Sequence, residues 1–127
     1  MIKREHYLEQ IRPFYDSSLI KIVTGIRRFG KSVLMEQVEE ELRESGKTTL
    51  SLNFETLAVS QRITDANALE REVKSHIGSE KLYVFLDEVQ NVPDWNLACR
   101  SLRLENVSLF ITGSNSKLLS KEFTREL

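Results

Sequence analysis

Residues 25–32 read Gly-Ile-Arg-Arg-Phe-Gly-Lys-Ser, a full match to G-x-x-x-x-G-K-[ST]. No other stretch restricts the fold as much. The compact β-branched run LIKIVT at 19–24 leads into Gly25, and a helical pattern begins near Lys31. A strand, a glycine loop and a helix in that order form a cradle for phosphate. Gly25 and Gly30 permit backbone conformations that a β-carbon obstructs. The loop N–H groups then turn inward around an anion, with the helix N-terminus adding its dipole.

The segment Gly25 to Val33 is the candidate nucleotide-binding stretch. Lys31 is positioned by the pattern to reach the β- and γ-phosphates, and the Ser32 hydroxyl to meet Mg²⁺. Ile26, Arg27, Arg28 and Phe29 fill the variable positions, where only the backbone is required. Arg27 and Arg28 either touch phosphate or a neighbouring subunit, or remain solvated. Phe29 reads as a packing residue or a wall on the base side.

The remaining chain alternates helical and strand patterns, which predicts an α/β domain with a mainly parallel sheet. Residues 2–12 read as a short helix with Leu8 and Ile11 on one face and Pro13 near its end. In the helix after the loop, Leu34, Val38 and Leu42 make an apolar stripe, with Ser45-Gly46 as its stop. Glu36, Glu39, Glu40, Glu41 and Glu44 read as its solvated face. Strands are expected at 48–54, 82–86 and 107–112, and helices at 65–77, capped by Asp65, and at 94–103. Another helix is expected after Ser116. The 127 residues read as a single domain.

Leu82-Tyr-Val-Phe-Leu-Asp87-Glu88 is an apolar strand ending in two carboxylates. Ligands of open α/β sheets gather at the carboxyl ends of the strands. Asp87 is therefore expected to face the phosphate loop and share Mg²⁺ with Ser32. Glu88 is expected to orient or deprotonate a water attacking the γ-phosphate. After the last strand, Thr112-Gly113-Ser114-Asn115-Ser116 offers polar side chains to the same crevice. Ser114 and Asn115 are candidates for contacting the γ-phosphate or the water, or else cap a helix.

Composition narrows the partners. Eighteen Lys+Arg against nineteen Asp+Glu give a net charge of −1, so no bulk field draws in nucleic acid or anionic lipid. One cysteine, Cys99, excludes an intramolecular disulfide and suits a reducing interior, so a cytoplasmic location is expected. The charged N-terminus lacks a signal-peptide core, and no apolar run is long enough for a membrane span. His6 and His76 lack partners at metal-ligand spacing. Trp95 is expected to pack a helix onto the sheet.

GIRRFGKS, LYVFLDEVQNVPDW and FITGSNSKLLS, in that order, resemble the prokaryotic AAA-type P-loop ATPases from about Ile20 to Leu119. The resemblance implies a three-layer P-loop core with sheet order 5-1-4-3-2, binding ATP/ADP with Mg²⁺. Gly25, Gly30, Lys31 and Ser32 then form Walker A, Asp87 and Glu88 Walker B, and Ser114 with Asn115 sensor 1. Four strands are counted, with no fifth strand, helical lid, sensor 2 arginine or arginine finger. The expectation is an N-terminal ATPase core of a longer protein, its phosphate-loop strand an exposed apolar edge prone to pair with a second copy. ATP hydrolysis is the leading reading. A nucleotide-dependent switch with negligible turnover is its rival, and a small-molecule kinase would need a substrate lid.

Overall fold

The computed structural model describes residues 5–23 and 28–113, with the side chains of 5–7 and 28–32 left undescribed. The elements in chain order are α1 (Glu5–Ile11), β1 (Lys21–Val23), α2 (Arg28–Glu44), β2 (Thr48–Asn53), α3 (Leu57–Arg62), α4 (Ala66–Lys74), β3 (Leu82–Asp87), α5 (Trp95–Leu102) and β4 (Val107–Thr112). Single 3₁₀ turns cover Arg12–Phe14 and Val89–Asn91.

The four strands are all parallel in the order β1-β4-β3-β2. This is the order the resemblance implies, without a fifth strand among the described residues. The chain crosses from β1 to β2 at the far margin and then steps back through β3 to β4. Right-handed crossovers in opposite directions must use opposite faces of the sheet. Accordingly α1 and α2 cover one face while α4 and α5 cover the other, giving three layers.

Alternation along the strands sorts the core. Tyr83, Phe85, Phe110 and Val23 pack with Leu8 and Ile11 of α1 and Leu34, Met35, Val38 and Leu42 of α2. Phe85 and Phe110 stack across β3 and β4, with centroids 4.7 Å apart. On the other face Val84, Leu86, Leu109 and Ile111 meet Leu69, Val73, Trp95 and Leu102. Each such leucine or valine contributes about 1.5–3 kcal/mol by leaving water. Trp95, buried among them, packs α5 onto the sheet as expected. Cys99 is fully buried, which pushes its thiol up to about 12.

Several boundaries differ from the sequence reading. Helix α2 begins at Arg28, inside the glycine motif, three positions before Lys31. It ends as expected: Gly46 takes φ +84°, and the N–H of Lys47 reaches the Leu42 carbonyl at 2.9 Å. Asp65 caps α4 by accepting from the Ala68 N–H at 2.8 Å, but α4 stops at Lys74 rather than 77. Helix α3 was not foreseen. It buries no residue and is started by Thr56, whose side chain accepts from the Val59 N–H, so it leaves no apolar stripe to read.

The glutamate face of α2 is not uniformly solvated. Glu39 accepts from Arg43 and from Thr49 of β2, while Glu41 accepts from Arg12 and from the Tyr15 hydroxyl. Strand β1 does lie at the sheet margin, pairing with β4. Its side chains are buried, and the strand is not wholly apolar, since Lys21 is fully buried within it. Lys21 Nζ donates to the Ser17 carbonyl at 2.7 Å and to Ser108 Oγ at 2.6 Å. The segments expected at 2–4, at 24–27 and after Gly113 lie outside the described residues.

Candidate functional site

The carboxyl ends of β1, β4 and β3 come together because their registers bring the last residues side by side. Val23 pairs with Thr112, and Leu86 with Ile111, so Asp87 ends its strand next to Thr112. Chain alternation puts Asp87 on the same face as Phe85, toward α2. The glycine motif therefore leaves the sheet from the strand next to the one that holds Thr112. Ile26 and Arg27, like Gly25, Ser114 and Asn115, lie outside the described residues. Arg28, Phe29, Gly30, Lys31 and Ser32 are described only as backbone in the first turns of α2. Val33 is half-buried.

Thr112 links the two acidic residues. Its hydroxyl donates to Asp87 Oδ1 and accepts from the Glu88 backbone N–H, the latter at 3.1 Å. The chain continues from Asp87 through Glu88 in the left-handed region, at φ 57° and ψ 47°. For a residue with a β-carbon this conformation costs of order 1–3 kcal/mol and requires surrounding structure to hold it. That support is present. Beside the Thr112 bond, the Glu88 carbonyl accepts from the Asn91 N–H at 3.3 Å, and Val89 and Val92 bury the following turn.

Glu88 is half-buried, and its Oε1 accepts from the Gln90 amide at 2.7 Å. On the β2 side the Asp87 carbonyl accepts from the Phe54 N–H at 2.9 Å. Asn53, opposite Asp87 in register, turns its Oδ1 to the Glu55 N–H at 2.9 Å. A cavity of about 270 Å³ opens between α2 and the ends of β2 and β3, lined by Met35, Glu36, Glu39, Asn53, Phe85 and Asp87 among others. The Asp87 carboxylate thus borders open space on the face where α2 packs.

Sequence reasoning singled out Asp87 and Glu88 and placed Thr112 among the polar side chains of the crevice, but it missed the bridge from Thr112 to the acidic pair and the contact from Gln90. A threonine closing an otherwise apolar strand was a signal available for Thr112. Nothing in the spacing pointed to Gln90. Among the described residues no group of three or more His, Cys, Asp or Glu comes together. His76 is exposed and lies 3.4 Å from a carboxylate oxygen of Glu72.

The family model for the AAA domain matches residues 17–127, spanning every strand and both acidic positions. The chain belongs to the AAA domain family. As an AAA domain it is a nucleotide-binding, ATPase-like unit, and its parallel α/β core fits that assignment. Two relatives extend the comparison. An uncharacterized protein of Haemophilus influenzae is 40% identical over 128 residues, covering 96% of this chain and 32% of the relative. An uncharacterized protein of Methanocaldococcus jannaschii is 32% identical over 108 residues, covering 85% of this chain and 24% of the relative. This AAA domain thus spans 24–32% of the length of these relatives. No helix among its described residues is long and apolar enough to cross a membrane.

Proposed function

We propose that this AAA domain binds ATP with Mg²⁺ and that the protein containing it hydrolyses ATP to ADP and phosphate. The observation carrying the reading is the Thr112 bridge. It fixes an acidic pair at the end of β3, next to the strand that feeds the glycine motif. Lys31 then reaches the β- and γ-phosphates as a point charge, and the loop backbone of Gly25 to Gly30 cradles them.

The donor chemistry suits Mg²⁺, a hard cation that takes oxygen ligands and keeps several waters. Asp87 and the Ser32 hydroxyl would hold it, and such a site needs no dense carboxylate cluster. When bound, the ion neutralises charge on the phosphates. Glu88 orients and deprotonates the attacking water, since it ends the strand one residue beyond Asp87 and is half-buried. Ser114 and Asn115 contact the γ-phosphate or that water.

Calorimetric titration of Mg·ATP into the chain and into Lys31→Ala tests the binding claim. Binding that disappears in the variant supports it, and binding that persists refutes the role of the glycine motif. For turnover, Glu88→Gln is expected to retain binding while hydrolysis stops. Binding without measurable hydrolysis in the parent would favour a nucleotide-dependent switch.

A further inference from the structure

We propose that Gln90 is the positioning residue of Glu88, holding its carboxylate in place through the side-chain amide. The inference rests on the hydrolytic reading of Glu88 given above. Its basis is a contact of 2.7 Å from Gln90 Nε2 to Glu88 Oε1. An ionised carboxylate only accepts hydrogen bonds, so the nitrogen end of the amide is the end that must face it. A bond to a charged acceptor is about twice as strong as one between neutral groups.

The backbone is arranged for this contact. Side chains two apart do not face each other on a helix. Here the left-handed Glu88, followed by the single 3₁₀ turn Val89–Asn91, brings positions 88 and 90 together. Val89 and Val92 are buried on either side of Gln90, and Thr112 pins the Glu88 N–H. The amide is thus presented from a fixed turn rather than from a free loop.

The other end of the same amide argues against a purely structural role. Gln90 Oε1 is buried and has no hydrogen-bond partner among the described residues. A buried acceptor without a partner is unfavourable, and folding alone favours an apolar side chain of that shape. What the glutamine supplies that leucine cannot is the donor to Glu88.

The test compares ATP turnover and Mg·ATP affinity in the parent chain, Gln90→Leu, Glu88→Gln and the double variant. Gln90→Leu is expected to fold as stably as the parent, bind nucleotide equally well and lose about tenfold to a hundredfold in kcat. The double variant is expected to be no slower than Glu88→Gln, because Gln90 acts through Glu88. Unchanged kcat in Gln90→Leu, with hydrolysis lost in Glu88→Gln, overturns this proposal and leaves the hydrolytic reading standing. Retained hydrolysis in Glu88→Gln overturns both. If the parent chain binds without turnover, the ¹⁵N side-chain amide resonances of Gln90 decide. A shift of those resonances in Glu88→Ala supports the contact, and unchanged resonances overturn it.

Discussion

Thr112 and Asp87 are joined across neighbouring strands by a hydroxyl that donates to one carboxylate oxygen. The same hydroxyl accepts from the N–H of Glu88 at 3.1 Å. A threonine has one proton to give and lone pairs to receive with, and both are used here. Thr112 is fully buried, while Asp87 and Glu88 are half-buried. One side chain therefore sets the direction of the Asp87 carboxylate and anchors the strained residue that follows it.

Thr112→Val keeps the shape and removes both bonds, so the Glu88 N–H and Asp87 Oδ1 each lose the buried hydroxyl. The expected loss is about 1–3 kcal/mol in unfolding stability. Urea denaturation checks it, and Thr112→Ser is expected to recover most of the loss. A valine variant as stable as the parent would show that the hydroxyl bridge contributes nothing net.

Glu88→Gly separates stability from activity. Glycine relieves the left-handed cost of about 1–3 kcal/mol but loses more backbone entropy on folding, about 0.5–1 kcal/mol. Thermal stability is expected to hold or rise slightly, while hydrolysis falls with Glu88→Gln. A marked drop in Tm would mean that the glutamate side chain stabilises the turn by more than its backbone costs.

Lys21 should leave a signature in the pH dependence of stability. Burial, reinforced by Lys81 and opposed by Asp16, lowers its pKa from 10.5 to about 7. Between those values the unfolded chain holds the proton and the folded chain does not. The Lys21 contribution to stability therefore rises with pH across that window, by at most about 1.4 kcal/mol per pH unit, and above pH 9 it is opposed by the buried Cys99 thiol, which is lifted from 9.0 to about 12. Below about pH 7 both states are charged, and the burial cost is fully present. Tyr83 acts in the opposite sense higher up. Burial and its hydrogen bond to Asp16 lift its pKa from 10.0 to about 12, so stability falls as pH climbs through that interval. Urea titrations from pH 6.5 to 11 should show the rise and then the fall, and Lys21→Met should flatten the rise alone.

Glu41 fastens the turn after α1 to α2. It accepts from Arg12 Nε at 3.1 Å, from a second Arg12 nitrogen and from the Tyr15 hydroxyl at 2.9 Å. Glu41→Leu is expected to cost about 1–3 kcal/mol, since the tyrosine and arginine groups lose a charged acceptor. Hydrogen exchange should show α1 losing protection before the sheet does.

The fold was readable because strand and helix periods in this chain are strong where burial is strong. The stripe of Leu34, Val38 and Leu42 and the apolar run Leu82–Leu86 both face packed layers. Helix α3 was not readable because it buries nothing, and Glu39 and Glu41 misled because their partners, Thr49, Arg12 and Tyr15, are distant in sequence.

By itself the sequence determined the α/β class, the order of the strands and of the helices that pack on them, the glycine motif and the acidic pair, since these depend on local pattern and neighbouring residues. Only the tertiary structure decided that Thr112 braces Asp87, that Gln90 reaches Glu88 and that Lys21 is buried at the sheet margin. The Thr112 and Lys21 relationships depend on strand register, which aligns Val23 with Thr112 and Lys21 with Phe110. The Gln90 contact depends on a single left-handed residue. Register and backbone handedness arise from the packing of the whole sheet, so no local run of residues encodes them.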